Sequence, residues 1–185
     1  MLRNSRENWG NIARALHWIM AILILAQLVL GKVAEEMGVS PLKLDLFVWH
    51  KSIGISVLLL VVLRLVWRLG NPPPAELPGI APWESRLAKL GHAALYLLMF
   101  AVPLSGWWIS DTSRIPFRWF WTVPLPDILA ADKDMNEIAE EVHEFLTQAL
   151  MVVVAVHVLA ALRHHFLLRN ATLERMLGLN RKARD

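Results

Sequence analysis

The apolar residues of this chain fall into long blocks, neither alternating as in strands nor striped as in surface helices. Four of these blocks reach the roughly 20 residues that a helix needs to cross the hydrocarbon core of a bilayer. The pattern predicts spans from Ile12 to Val33, Phe47 to Trp67, Leu87 to Ile109 and Val142 to Leu168. The first follows Arg3, Arg6 and Arg14 like a signal peptide. Its apolar run is longer than a signal h-region and no small-residue cleavage site follows, so it is expected to stay in the mature protein. The expectation is an all-α transmembrane four-helix bundle, a single domain over residues 1–185.

The polar punctuation between the blocks fits this reading. Asn71-Pro-Pro-Pro-Ala-Glu-Leu-Pro-Gly-Ile-Ala-Pro82 cannot be helical and predicts an extended, polyproline-like connector. Between the third and fourth spans, Phe117-Arg-Trp-Phe-Trp-Thr-Val-Pro124 is too aromatic for a free linker and predicts a cap on the outer mouth of the bundle. Thr172 to Leu179 predicts a short amphipathic helix on the inner membrane surface. Trp18, Trp49, Trp67, Trp107 and Trp108 sit near span ends, where amphipathic rings prefer to lie.

Charge sets the direction. Arg3, Arg6, Arg14, Arg64, Arg68, Arg86, Lys89, Arg163, Arg169, Arg175, Arg181, Lys182 and Arg184 gather on one side. Only Lys32, Lys43, Lys51, Arg114, Arg118 and Lys133 lie on the other, which also holds most of the acids. By the positive-inside rule both termini are expected to be cytoplasmic, on one side of a multi-pass membrane protein. The hydrophobic share of 56% agrees, and a net charge of +3 is small for a nucleic-acid binder. With no cysteine there is no thiolate metal site, iron–sulfur cluster or covalent haem attachment. No Gly-rich phosphate loop, H-E-x-x-H or G-x-S-x-G motif occurs.

The chemistry resides in histidines. Of His17, His50, His92, His143, His157, His164 and His165, five fall inside or at the edge of apolar spans. An ionisable ring there is costly without a partner. His143 and His157 are 14 residues apart, which puts them about 40° from the same face and about 21 Å apart along the axis. His50 opens the second span level with His143, and His17 lies level with His157. Two histidines at one depth on facing helices make an axial pair for an iron porphyrin, since neutral imidazole is a common haem ligand. Two such pairs predict two non-covalent, bis-histidine b haems. Gly54, four residues after His50, and Gly106, three after Pro103, are candidates for close approach of a macrocycle. Arg14, Arg64 and Arg68 are candidate partners for propionates. Lys51, Arg114 and Arg118 are candidate cations for guiding an electron donor. Arg163, His164 and His165 at the inner end of the fourth span, with His92, are candidates for a quinone site.

Together these residues resemble the bacterial cytochrome b561 family. The resemblance rests on Ala15-Leu-His17-Trp18, on His50-Lys-Ser-Ile-Gly54 leading to Val62-Leu-Arg64-Leu-Val-Trp-Arg68, and on the proline-rich link. It continues through Gly91-His92, Pro103 and Gly106, then His143, His157, His164-His165 and Asn170-Ala-Thr-Leu-Glu-Arg-Met176, covering nearly the whole chain. The resemblance implies a four-helix di-haem cytochrome with His17 and His157 on the inner haem and His50 and His143 on the outer one. It also implies transfer of electrons from superoxide outside to ubiquinone in the membrane. The alternative it carries is a cytochrome subunit that anchors a partner dehydrogenase or hydrogenase and relays its electrons to quinone.

Overall fold

The computed structural model describes residues 1–113, 115, 117–126 and 128–179. Four long helices form the body: α1 (Asn11–Glu36), α2 (Pro41–Gly70), α3 (Pro82–Thr112) and α4 (Lys133–Leu162). A π-helical turn over Arg163–Leu167 extends α4, and a six-residue helix, α5 (Thr172–Leu177), follows. All four long helices are long and apolar enough to cross a membrane. They pack in chain order, α1 on α2, α2 on α3 and α3 on α4. As successive membrane-long helices packed in chain order, sequential neighbours run antiparallel.

Local sequence explains the boundaries. Ser40 caps α2 by accepting from the Lys43 amide, with Pro41 at the first helical position. Asp132 does the same for α4 through Met135 N. These caps lie outside the apolar blocks, so the helices extend beyond the spans read from hydropathy. Pro103 removes one ladder hydrogen bond inside α3, yet the helix continues to Thr112.

The surface is the reverse of a soluble protein's. Ile22, Val29, Leu97, Val156 and Leu159 are each more than 60% exposed, as expected of side chains facing lipid. The buried core is small, with Met20, Val61 and Met99 at its centre and Ile24, Leu58, Leu95, Tyr96 and Phe100 around it.

Each end of the bundle is closed differently. At one end the N-terminal segment folds back, with Asn11 and Ile12 amides donating to Met1 and Leu2 carbonyls. Gly10 is needed there, since a Cβ would collide with the Leu2–Arg3 backbone. Asn4 Nδ2 donates to the Asn71 and Pro72 carbonyls, and Arg175 Nη1 to Ala75 O. The N-terminus, the proline-rich connector and α5 therefore meet at one end, which collects the basic residues. At the other end, β1 (Arg118–Trp119) and β2 (Val123–Pro124) form a small antiparallel hairpin. Its turn docks on α2: Trp119 Nε1 donates to Ser52 O (3.0 Å) and the Phe120 amide to Ser52 Oγ (2.8 Å). Trp49 packs edge-on against Phe120 and Trp121. The aromatic run is thus a cap, as its composition predicts. Asp111 holds the chain leading from it by accepting the Ile128 and Leu129 amides.

Candidate functional site

The helices carry a common 14-residue interval. It separates His17 from Gly31 on α1, His50 from Arg64 on α2, His92 from Gly106 on α3, and His143 from His157 on α4. In an α-helix that interval is nearly four turns, about 21 Å. Because neighbours are antiparallel, the eight positions sort into two levels. Gly31, His50, Gly106 and His143 share the capped end; His17, Arg64, His92 and His157 share the other. The Met20–Val61–Met99 cluster lies between them and separates the levels with apolar side chains.

At the capped level the His50 and His143 ring centres are 6.3 Å apart, at 88° to one another. Both rings rest on glycine. A Cβ at Gly31 would lie 2.9 Å from His50 Cε1, and one at Gly106 would lie 3.2 Å from His143 Cε1. His143 Nδ1 is within hydrogen-bond distance of Val102 O (3.1 Å) and Ser105 Oγ (2.9 Å). A carbonyl only accepts, so Nδ1 carries the proton and Nε2 is left as the basic nitrogen. His50 is held through its backbone, with Gln27 Nε2 donating to its carbonyl (2.5 Å). Its Nδ1 and the Gln27 Oε1 are both buried without a hydrogen-bond partner among the described residues.

At the other level the His17 and His157 ring centres are 6.2 Å apart, at 60°. His92 lies beside His157 at 5.6 Å. Arg64 Nη2 donates to His17 Nδ1 (3.1 Å), and the Arg64 and Arg68 guanidinium groups both lie 5.8 Å from the Tyr96 ring centre.

These dimensions suit an iron porphyrin between each pair. Imidazole nitrogen binds transition metals at about 2 Å, and the ring centre lies about 1 Å further back, so two rings on one metal face each other at about 6 Å. Both pairs have that separation, and the glycines at the capped level leave no side chain between ring and neighbouring backbone. Uncharged imidazoles in an apolar bundle are the donor set that non-covalent haem takes.

Other residues singled out from the sequence are distributed around these levels. Gly54 packs against Gln27 Nε2 (3.4 Å to its Cβ position), while Gly31, at the same level as His50, meets the ring. Lys51 lies over the Phe117 ring (5.6 Å) beneath the cap, and Arg118 Nη2 donates to Thr122 O within it. Arg114 lies outside the described residues. Arg14 turns towards α5, with Nη2 donating to Asn11 Oδ1 (2.6 Å). His164 Nδ1 accepts from Asn170 Nδ2 (2.8 Å), His165 Nδ1 is 3.9 Å from the buried Glu174 carboxylate, and Arg163 pairs with Glu84 (2.8 Å). The π-helical turn displaces His164 from the phase a continuous α-helix would give it relative to His157. Gln27, Gly31, Ser105 and Tyr96 are additions from the structure. For Gly31 the signal was present, because it stands to His17 as Gly106 stands to His92.

Comparison with known proteins agrees with this geometry. The model of the prokaryotic cytochrome b561 family matches residues 8–179. Cytochrome b561 homolog 2 of Escherichia coli K12 is 36% identical over 179 residues, covering 95% of this chain and 94% of that protein. A probable superoxide oxidase, CybB of Yersinia pestis, is 29% identical over 171 residues, covering 90% and 93%. Cytochrome b562 of Cereibacter sphaeroides is 27% identical over 170 residues, covering 88% and 90%. A four-helix membrane bundle with facing histidines, matched over nearly its whole length, makes this chain a member of the prokaryotic cytochrome b561 family, the haem-binding electron carriers of the bacterial inner membrane.

Proposed function

We propose that the chain is a single-domain di-haem cytochrome that carries electrons from superoxide at the capped end to ubiquinone at the His17 end. The observation that carries this reading is the repetition of one histidine pair at two depths, about four helical turns apart. Bound b haem supplies reversible one-electron chemistry. His50 with His143 and His17 with His157 would hold it, and the positive-inside distribution supports an orientation with the second pair and both termini towards the cytoplasm.

The residues around the pairs set its environment. Val102 and Ser105 fix the His143 tautomer, and Gly31 and Gly106 let the capped-level rings stand close to the neighbouring helices. A guanidinium only donates, so for His17 to bind metal through Nε2 its Nδ1 must carry the proton. Arg64 would then be free to donate to a propionate carboxylate, and Arg68 over Tyr96 would supply a second positive charge. Lys51, between His50 and the cap, gives an anionic donor a local attraction, helped by Arg118 and Arg114. A relative that is named a probable superoxide oxidase supports the choice of donor. Two superoxide ions, each leaving as dioxygen after giving one electron, balance one ubiquinone that takes two electrons and two protons. His164 and His165, with His92 deeper in the bundle, are the titratable groups at the end where those protons enter.

Stopped-flow mixing of the oxidised, haem-loaded protein with superoxide tests the donor, with and without ubiquinone. Reduction that slows with added salt, slows further in Lys51→Glu, and becomes catalytic only with quinone supports the reading. A salt-independent rate, unchanged in Lys51→Glu and Arg118→Glu, removes the guiding role. No reduction by superoxide leaves the anchor-and-relay function for a partner dehydrogenase.

A further inference from the structure

A surface-open cavity of about 410 Å³ lies between the first two turns of α1 and the C-terminal end of α5, lined by Asn11, Arg14, Ala15, Trp18, Met176 and Leu177. Its size is within the range of small-molecule sites. The four α1 residues recur at intervals of three and four, so one helix face forms the wall. Across it α5 supplies two apolar side chains. The indole is fixed in place, since Trp18 Nε1 donates to the Met176 carbonyl (3.0 Å), and its ring meets that of His17 edge-on at 5.1 Å. A single aromatic ring therefore separates the cavity from a histidine of the inner pair. Arg14 spends one N–H on Asn11, and its Nη1 side packs against Gly178 just after α5. Nη2 carries two N–H groups and gives one to Asn11, so its second remains for a guest.

We infer that this cavity seats the head group of the quinone, with Arg14 donating to a ring carbonyl and the Trp18 indole flanking the head group on the side of His17. The assignment rests on the proposed reduction of quinone. The lining favours a flat, uncharged acceptor over a lipid phosphate: it offers one cation, one amide side chain, and otherwise aromatic and aliphatic surface. A phosphate would need further donors to replace its hydration. The place suits the guest's other needs. An interfacial tryptophan and arginine mark the membrane boundary, where a head group resides while its isoprenoid tail stays in lipid. Contact with Trp18 puts the head group close to the inner pair. The α5 helix lines the far side of the cavity; Trp18 ties it to α1, and its own Arg175 ties it to the connector through the Ala75 carbonyl.

The test uses the haem-loaded protein purified in mild detergent. Ubiquinone bound per chain is measured by extraction and by native mass spectrometry with a short-chain ubiquinone, alongside haem content and thermal unfolding. Ala15→Phe fills the cavity, Leu177→Trp fills it from the α5 side, and Arg14→Gln removes the charge. The expected result is loss of bound ubiquinone in at least one filling variant that keeps normal haem content, and roughly tenfold or weaker binding in Arg14→Gln. Wild-type ubiquinone binding in all well-folded variants overturns the assignment. So does selective loss of phosphatidylglycerol in place of ubiquinone, which marks a phosphate site. The two readings fail differently. Variants that reduce quinone at the normal rate refute the cavity and leave quinone reduction standing. A wild type that binds ubiquinone in the cavity but never reduces it refutes the reaction and leaves the site.

Discussion

Placing a methyl group on Gly31 probes the capped-level pair from a helix that carries no ligand of that pair. The new Cβ would lie 2.9 Å from His50 Cε1, 3.3 Å from Nδ1 and 3.7 Å from Nε2. Ordinary carbon–carbon contact is about 3.5–4.0 Å, so the ring must retreat by roughly 0.6–1.1 Å. Metal–ligand distances tolerate only about ±0.2 Å, so that retreat breaks the bond or rotates the ring out of line. Backbone effects run the other way, since Gly→Ala inside a helix gains about 1 kcal/mol of helix propensity. Gly31→Ala should therefore fold at least as well as the wild type and lose most of its outer haem while keeping the inner one. Gly106→Ala is the graded control: its nearest contact, 3.2 Å to His143 Cε1, requires a smaller shift, roughly 0.3–0.8 Å, and should give a spectral change with less haem loss than Gly31→Ala. Gly54→Ala meets only the Gln27 side-chain nitrogen at 3.4 Å and should bind both haems. Pyridine haemochrome stoichiometry with low-temperature α-band spectra reads all three. Full haem content and unaltered spectra in Gly31→Ala would refute the argument that glycine makes room for the ligand.

Three further outcomes follow from particular contacts. A cation beside an iron favours the reduced form, so Arg64→Gln should lower the inner haem's midpoint by several tens of millivolts in a potentiometric titration, leaving the outer one unchanged. An inner midpoint that stays or rises would contradict this. Gln27→Leu removes the donor to the His50 carbonyl and should cost about 1 kcal/mol of stability, read as lower thermal resistance and weaker outer-haem retention. Ser52→Ala strips the Phe120 amide of its acceptor, so trypsin should cut at Arg118 faster while both haems stay bound. Unchanged proteolysis would mean that the cap is held elsewhere.

The spans and the facing histidine pairs were legible in the sequence because both are repeating signals. Apolar runs long enough to cross a bilayer stand out, and His143–His157 shows its own helical phase. The helix ends were less legible, because hydropathy marks where lipid begins and not where hydrogen bonding stops. Pro41, Lys133 and Asp134 belong to helices although they lie outside the apolar blocks. The cap was visible as an aromatic run, but its two-residue strands and left-handed turn at Phe120 and Trp121 depend on docking to Ser52. Gln27 was invisible as a site residue, since a lone glutamine in a span gives no sign of the helix it faces. The widening of α4 at Arg163–Leu167 has no sequence marker and moves His164 and His165 towards Asn170 and Glu174.

The central claim is that two histidine pairs each hold a b haem. Haem per chain, measured by pyridine haemochrome on the purified protein and on His143→Ala, tests it most directly. Two haems are expected in the wild type and one in His143→Ala, with the remaining haem keeping its bis-histidine low-spin spectrum. One haem in the wild type, or two retained in His143→Ala, would contradict it.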